Sequence, residues 1–177
     1  RWTAVPVGEG AGAVKEKLAA LWLNGAEEPW LVGGGGLVLR RSVSNGQGRF
    51  QQQLVPGAPT LTGLWRGETL WVTSKDGVVF YEAEGRFSPI SLSEKKKVYY
   101  GVVGRREGRE DTVFLAGREG ALLRCKTTGC EFLESGTEET LHAAALAPDG
   151  TLWLAGKSGV LVRHDGKTGR AVPTGTE

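Results

Sequence analysis

Three observations predict an all-β chain made of repeated four-stranded antiparallel units. First, residues 29–41 (PWLVGGGGLVLRR) join two short apolar runs through a glycine-rich turn. The same pattern returns at 70–82 (LWVTSKDGVVFYE), 113–125 (VFLAGREGALLRC) and 152–164 (LWLAGKSGVLVRH). Second, the turn glycines Gly36, Gly77, Gly120 and Gly159 are 41, 43 and 39 residues apart. A steady period of about 40 residues marks an array of like units. Third, the runs that open the units (LAALWL, LTGLWR, YYGVVG, LHAAAL) keep a small residue in third place: Ala20, Gly63, Gly101 and Ala143. Inner strands crowded around a common axis need that. Four strands per period describe the blade of a β-propeller, about four of which fit in this chain. A sandwich, the alternative, gives no reason to keep one small residue in every innermost strand.

The elements follow in order. Residues 1–7 (RWTAVPV) read as a strand headed by Trp2, and 8–12 as a turn. Val14, Leu18 and Leu21 have helical spacing, but the repeat makes 18–23 an inner strand instead. The second and third strands of each unit flank the glycine turn, because a hairpin that matches strand twist needs positive φ, which glycine adopts at little cost. Asp76-Gly77, Asp149-Gly150 and Asp165-Gly166 are further hairpin signals. A closing strand starts near an aromatic at Arg49-Phe50, Arg86-Phe87 and Glu131-Phe132, while the fourth unit ends in RAVP at 170–173. The expected blades are 13–57, 58–94, 95–136 and 137–177, with 1–12 as an outer closing strand of a single propeller domain or of part of a larger one. In one version, 1–7 lies beside 160–164, closes the ring and displaces RAVP as a tail. In the other, RAVP fills that place and 1–7 belongs to a blade not among these residues, so the array continues in a larger propeller or associates with a second chain. The lack of any methionine points to a processed product or a segment of a longer protein.

With 177 residues the chain is long enough for one domain with a sizeable core. A formal net charge of +2 and a pI of about 8.6 demand no nucleic acid or membrane partner. No apolar run approaches the roughly 20 residues of a membrane span.

The repeats 18–40 (LAALWLNGAEEPWLVGGGGLVLR) and 61–81 (LTGLWRGETLWVTSKDGVVFY) resemble bacterial β-propeller repeats of the YCF48-like/BNR type. The resemblance covers nearly the whole chain. It departs from sialidase-like and WD repeats, since neither an Asp-box nor a Trp-Asp dipeptide occurs. It implies a binding or assembly role in an extracytoplasmic setting (periplasmic, secreted or surface) and transfers no catalytic residue.

Candidate chemistry is sparse. Cys125 and Cys130 (CKTTGC) flank a four-residue hairpin loop, where a disulfide is sterically reasonable and would suit an oxidising compartment; two free thiols are the alternative. His142 and His164 are the only histidines, too few for a zinc site beside the cysteines or for a nucleophile–base constellation. His142, in an innermost strand, reads first as a hydrogen-bonded structural residue, with a place facing the channel as the alternative. Residues 95–109 (KKKVYYGVVGRREGR) mix basic and aromatic side chains, as single-strand nucleic-acid binders do, but their cations fall in two loops diluted by Glu107 and Glu110. Four residues after each turn glycine stand Arg40, Tyr81, Arg124 and Arg163. They are the candidate binding residues for an acidic partner, against the plainer reading of arginine stems laid on apolar surface.

The leading function is therefore a non-catalytic propeller module that binds another macromolecule, a protein first. A carbohydrate-binding, lectin-like propeller is the alternative, and a hydrolase or lyase on this scaffold the third. No catalytic residue, metal site or cofactor is expected. Trp22, Trp30, Trp65, Trp71 and Trp153 recur at strand positions and read as core, which weighs against the lectin.

Overall fold

The computed structural model describes residues 14–24, 28–44, 47–92 and 97–175. These form sixteen strands in four antiparallel sheets, each running in chain order. The first blade holds β1 (Leu18–Asn24), β2 (Glu28–Gly33), β3 (Leu37–Ser44) and β4 (Gln47–Leu54). The second holds β5 (Leu61–Arg66), β6 (Leu70–Ser74), β7 (Val79–Ala83) and β8 (Arg86–Ile90). The third holds β9 (Tyr99–Glu107), β10 (Glu110–Gly117), β11 (Leu122–Lys126) and β12 (Gly129–Phe132). The fourth holds β13 (Leu141–Leu146), β14 (Leu152–Gly156), β15 (Leu161–His164) and β16 (Gly169–Ala171).

The hairpins between second and third strands form where the glycines stand. Gly36, Gly77, Gly120 and Gly159 have φ of 69, 74, 64 and 70°. In blades one, three and four the preceding residue is also left-handed: Gly35, Glu119 and Ser158 at 63, 53 and 56°. Two successive positive φ values give the turn that follows strand twist. The turn glycine also holds the connector to the next blade. The Gly36 N–H donates to the Pro59 carbonyl (2.6 Å) and that of Gly120 to Glu139 (3.0 Å).

Three apolar clusters join successive blades. Trp30, Val32 and Val38 of the first pack with Leu61, Leu64, Leu70, Val72 and Phe80 of the second. Trp71 and Val79 meet Tyr99, Val113, Leu115 and Leu123 of the third. Phe114, Ala116 and Leu122 meet Leu141, Leu152, Leu154 and Val162 of the fourth. In the second and third blades β6 and β10 are covered on both faces, which is why these runs read as continuously apolar rather than alternating. β1, β5, β9 and β13 are neighbours in that order. A Cβ on Gly63 would stand 2.5 Å from Val102 Cγ2, and one on Gly101 would stand 2.8 Å from the Ala144 nitrogen. The small residues sit on the innermost strands, and β1 is a strand despite its helical spacing.

Some expectations are corrected. β16 pairs with β15 (Arg163 opposite Arg170, Val162 opposite Ala171), so RAVP fills the outer place of the fourth blade and is not displaced. Residues 1–12, and with them the closing strand and Trp2, lie outside the described residues. Arg105 and Arg106 belong to β9 rather than to a loop, because β9 and β10 stay paired out to Glu107 and Glu110. Phe50 and Phe87 pair with residues five beyond their turn glycine, Arg41 and Glu82, but Phe132 pairs with Leu123, three beyond Gly120. The third aromatic is thus offset by one full pleat repeat. Ala143 is exposed, so the crowding met at Gly63 and Gly101 does not extend to it.

The cysteines are direct cross-strand partners in β11 and β12, joined by a 2.01 Å bond. The loop between them is two residues, not four, since pairing continues to Lys126 and Gly129. Cys125 is fully buried in the cluster shared by the second and third blades. Thiol titration of the denatured, unreduced chain is expected to find no free sulfhydryl, and reduction should lower stability by roughly 2 kcal/mol through the lost loop constraint. Two reactive thiols before reduction would refute the bond.

Candidate functional site

Register builds a cleft between the first two blades. Trp30 lies opposite Arg40, and Arg40 opposite Gln51, in one row across β2, β3 and β4. Val38 lies opposite Gln53 in the row beside it. From the second blade come Arg66, the last residue of β5, and Glu82 of β7. Together these walls enclose about 340 Å³, open to solvent on one side.

Trp30 is almost fully buried, and two guanidiniums cover it. The Arg66 and Arg40 Cζ atoms stand 4.5 and 5.4 Å from its ring centroid, within range of attraction to the ring quadrupole. Acidic groups flank each arginine. Arg40 Nη2 is 3.3 Å from Glu28 Oε2, and Arg66 Nη1 is 3.8 Å from Glu82 Oε2, a pair too long to be a hydrogen bond. Gln53 Nε2 donates to the Gly85 carbonyl (3.1 Å), which ties the outer strand of the first blade to the second. Arg40 Nε is buried and has no hydrogen-bond partner among the described residues. Nε is covered, but the Arg40 side chain is 42% exposed, so a carboxylate or carbonyl entering the cleft would meet the exposed part of its guanidinium.

Arg40 is one of four residues singled out by the repeat. The others occupy the equivalent place on their own blades. Tyr81 lies opposite Trp71 with ring centroids 6.0 Å apart. Arg124 Nε donates to Glu131 Oε1 (2.5 Å); that hydrogen bond raises the arginine's pKa and lowers the glutamate's. Arg163 is exposed, opposite Trp153. It helps hold Asp149 low, after the larger effect of the Thr151 N–H. The four are not gathered into one site; Arg40 is the one that lines the cleft. Repeat reasoning missed Arg66, Glu82, Gln51 and Gln53, since none recurs. The available signal was a break in the repeat: the place of Arg66 holds Gly104 in β9 and Leu146 in β13.

Three cations of the basic segment are paired. Lys97, Arg105 and Arg106 face Glu119, Glu107 and Glu68. His142 is exposed on β13, its ring 5.3 Å from that of Tyr100. Both occupy a β-bulge of the innermost strand that recurs in every blade, at Ala19, Thr62, Tyr100 and His142. Such bulges re-aim one side chain, and no sequence signal marked them.

His164 is fully buried, with Nδ1 accepting the Gly166 N–H (3.0 Å). Burial lowers its pKa from the ordinary 6.5, and the Glu134 carbonyl and Asp165 only partly oppose this. Below about pH 6.5 the unfolded chain therefore takes up a proton that the folded chain refuses. Stability should fall with pH from there downward and stay level above it, as far as this group is concerned. Denaturant titrations across pH should show that acid-side slope in the parent and a weaker one in His164→Gln; equal slopes would remove His164 as the cause.

Four antiparallel four-stranded blades, stacked through shared cores with their inner strands side by side, define a β-propeller array. Solved structures bear this out. One described as "YCF48 bound to D1 peptide" is similar at a TM-score of 0.72 and 13% identity, over 99% of this chain and 58% of that one. YCF48 from Cyanidioschyzon merolae is similar at 0.66 and 15% identity, over 92% of this chain and 58% of that one. The chain thus spans 58% of the length of both structures, and at these identities the likeness carries the fold alone. The resemblance read from the repeats is met at that level. No protein-family model matches the chain, and no curated protein does.

Proposed function

We propose that this chain is a non-catalytic propeller module that binds another protein, with the cleft of Trp30, Arg40 and Arg66 as its contact point. The observation that carries the reading is the open cleft in which the partly exposed Arg40 and Arg66 guanidiniums lie over Trp30. An acidic or carbonyl-rich segment would accept from the exposed N–H groups of these arginines. Tyr81, Arg124 and Arg163, in the equivalent register, extend the surface along the later blades. That a similar structure is described as bound to a D1 peptide supports a protein partner. The Cys125–Cys130 bond supports an oxidising, extracytoplasmic setting. The sugar-platform alternative is weakened by tryptophan burial, since Trp30, Trp65 and Trp71 are all buried. The units expected at 13–57, 58–94, 95–136 and 137–177 act in this reading as one body.

Fluorescence anisotropy with short labelled peptides of acidic, neutral and basic composition tests it. Acidic peptides should bind saturably, and Arg40→Ala should weaken them roughly tenfold. Binding of a glycan panel with no response to any peptide would overturn the proposal in favour of the lectin.

A further inference from the structure

We propose that the outer edge of β4 receives an extended acidic peptide as a fifth strand of the first blade. The inference deepens the protein-binding reading and rests on it.

β4 ends the first sheet and pairs with β3 through eight residue pairs without a register shift. The Val55 N–H donates to the Gly36 carbonyl (2.9 Å). That bond sets the phase of the ladder. Alternate residues turn their backbone groups to opposite sides of an antiparallel strand, so Phe50, Gln52 and Leu54 direct N–H and C=O outward. None of these groups has a partner among the described residues. Such a row is a template for another chain.

The other outer edges are blunted. β8 carries Pro89. β12 has four residues and is tied by the disulfide. β16 has three. β4 has eight residues, no proline and one charge, Arg49. Leu54, at its end, is 55% exposed, and Gln51 and Gln52 are exposed as well.

The neighbouring cleft selects the occupant. Gln51 and Gln53 line it together with the partly exposed Arg40. A strand laid beside β4 would place every second side chain on that same face. Carboxylates there meet the cleft arginine and the glutamine amides. A second copy of β4 fits less well, because QGRFQQQL holds no acidic residue to offer Arg40. Main-chain pairing then supplies affinity and the cleft supplies selectivity, as in strand-addition recognition.

The test uses the full chain and a capped, labelled peptide of alternating glutamate and valine. The variant is Gln52→Pro. Its lost N–H points outward, so the ladder to β3 survives, and the ring blocks the added strand. Saturable binding is expected, weakened roughly tenfold or more by Gln52→Pro, with amide exchange slowed by peptide at Phe50, Gln52 and Leu54. Should Gln52→Pro fail to fold, amide exchange in the parent decides alone. Equal binding to parent and folded variant, or protection elsewhere, would overturn the edge site while leaving protein binding intact. No binding of this peptide, when other acidic peptides bind, would also overturn it. A parent dimer in sedimentation that Gln52→Pro dissolves would instead make a second copy the occupant.

Discussion

Gly120→Ala should lower stability by roughly 2–5 kcal/mol, a fall in melting temperature on the order of 10 °C. Two costs combine. Gly120 holds φ of 64° directly after Glu119, itself left-handed at 53°, and a Cβ there costs about 1–2 kcal/mol from local sterics. The added methyl would also stand 1.8 Å from the Thr137 carbonyl oxygen. That oxygen is backbone and cannot swing aside. Relief requires moving the connector whose Glu139 carbonyl accepts the Gly120 N–H and which leads into β13. Gly108→Ala separates the two costs, for Gly108 has φ of 65° and no atom within 4 Å of a built Cβ. It should lose only the first. If both variants melt alike, the turn glycine is not holding the connector.

Gly101→Leu is expected to cost about 3 kcal/mol by overpacking the inner strands, and Ala143→Leu almost nothing. A Cβ on Gly101 meets β13 backbone, the Ala144 nitrogen at 2.8 Å and the Ala143 carbonyl carbon at 2.9 Å. Ala143 holds the same place in the repeat but is exposed. Gly63→Leu should fall between them, because its nearest obstacle is a movable side-chain methyl, Val102 Cγ2. Chemical denaturation of the three variants gives the order; equal losses at Gly101 and Ala143 would undo the account of crowding along the axis.

What the sequence discloses is what repeats. Gly36, Gly120 and their counterparts mark the hairpins because positive φ leaves few residues to choose from. Ala20, Gly63 and Gly101 mark the inner strands because close approach excludes volume. Both constraints are local and recur at a fixed period. The cleft is different. Trp30 and Arg40 are aligned by register within one blade, but Arg66 and Glu82 reach them from the next, at positions where other blades carry unrelated residues. The offset of Phe132 and the length of β9 stayed hidden for a related reason: strand ends depend on how far two neighbours stay paired, and no single residue fixes that. Arg163 and Arg124 shared a pattern with Arg40 without sharing its surroundings, so periodicity named four candidates and packing gathered only one of them into the cleft.

The shared cores between successive blades also govern the order in which the chain can acquire structure. Among the described residues the buried members of every cluster come from adjacent periods, so none of these cores has to wait for a distant part of the sequence to be synthesised. Each of the later described blades can condense on the one before it as soon as it leaves the ribosome. Short-range closure of this kind favours rapid folding for an all-β chain. It also makes stability additive along the array, with cooperativity passed only between neighbours. Among the described residues the second and third blades share apolar clusters on both sides, and slow amide exchange should therefore concentrate in β6 and β10.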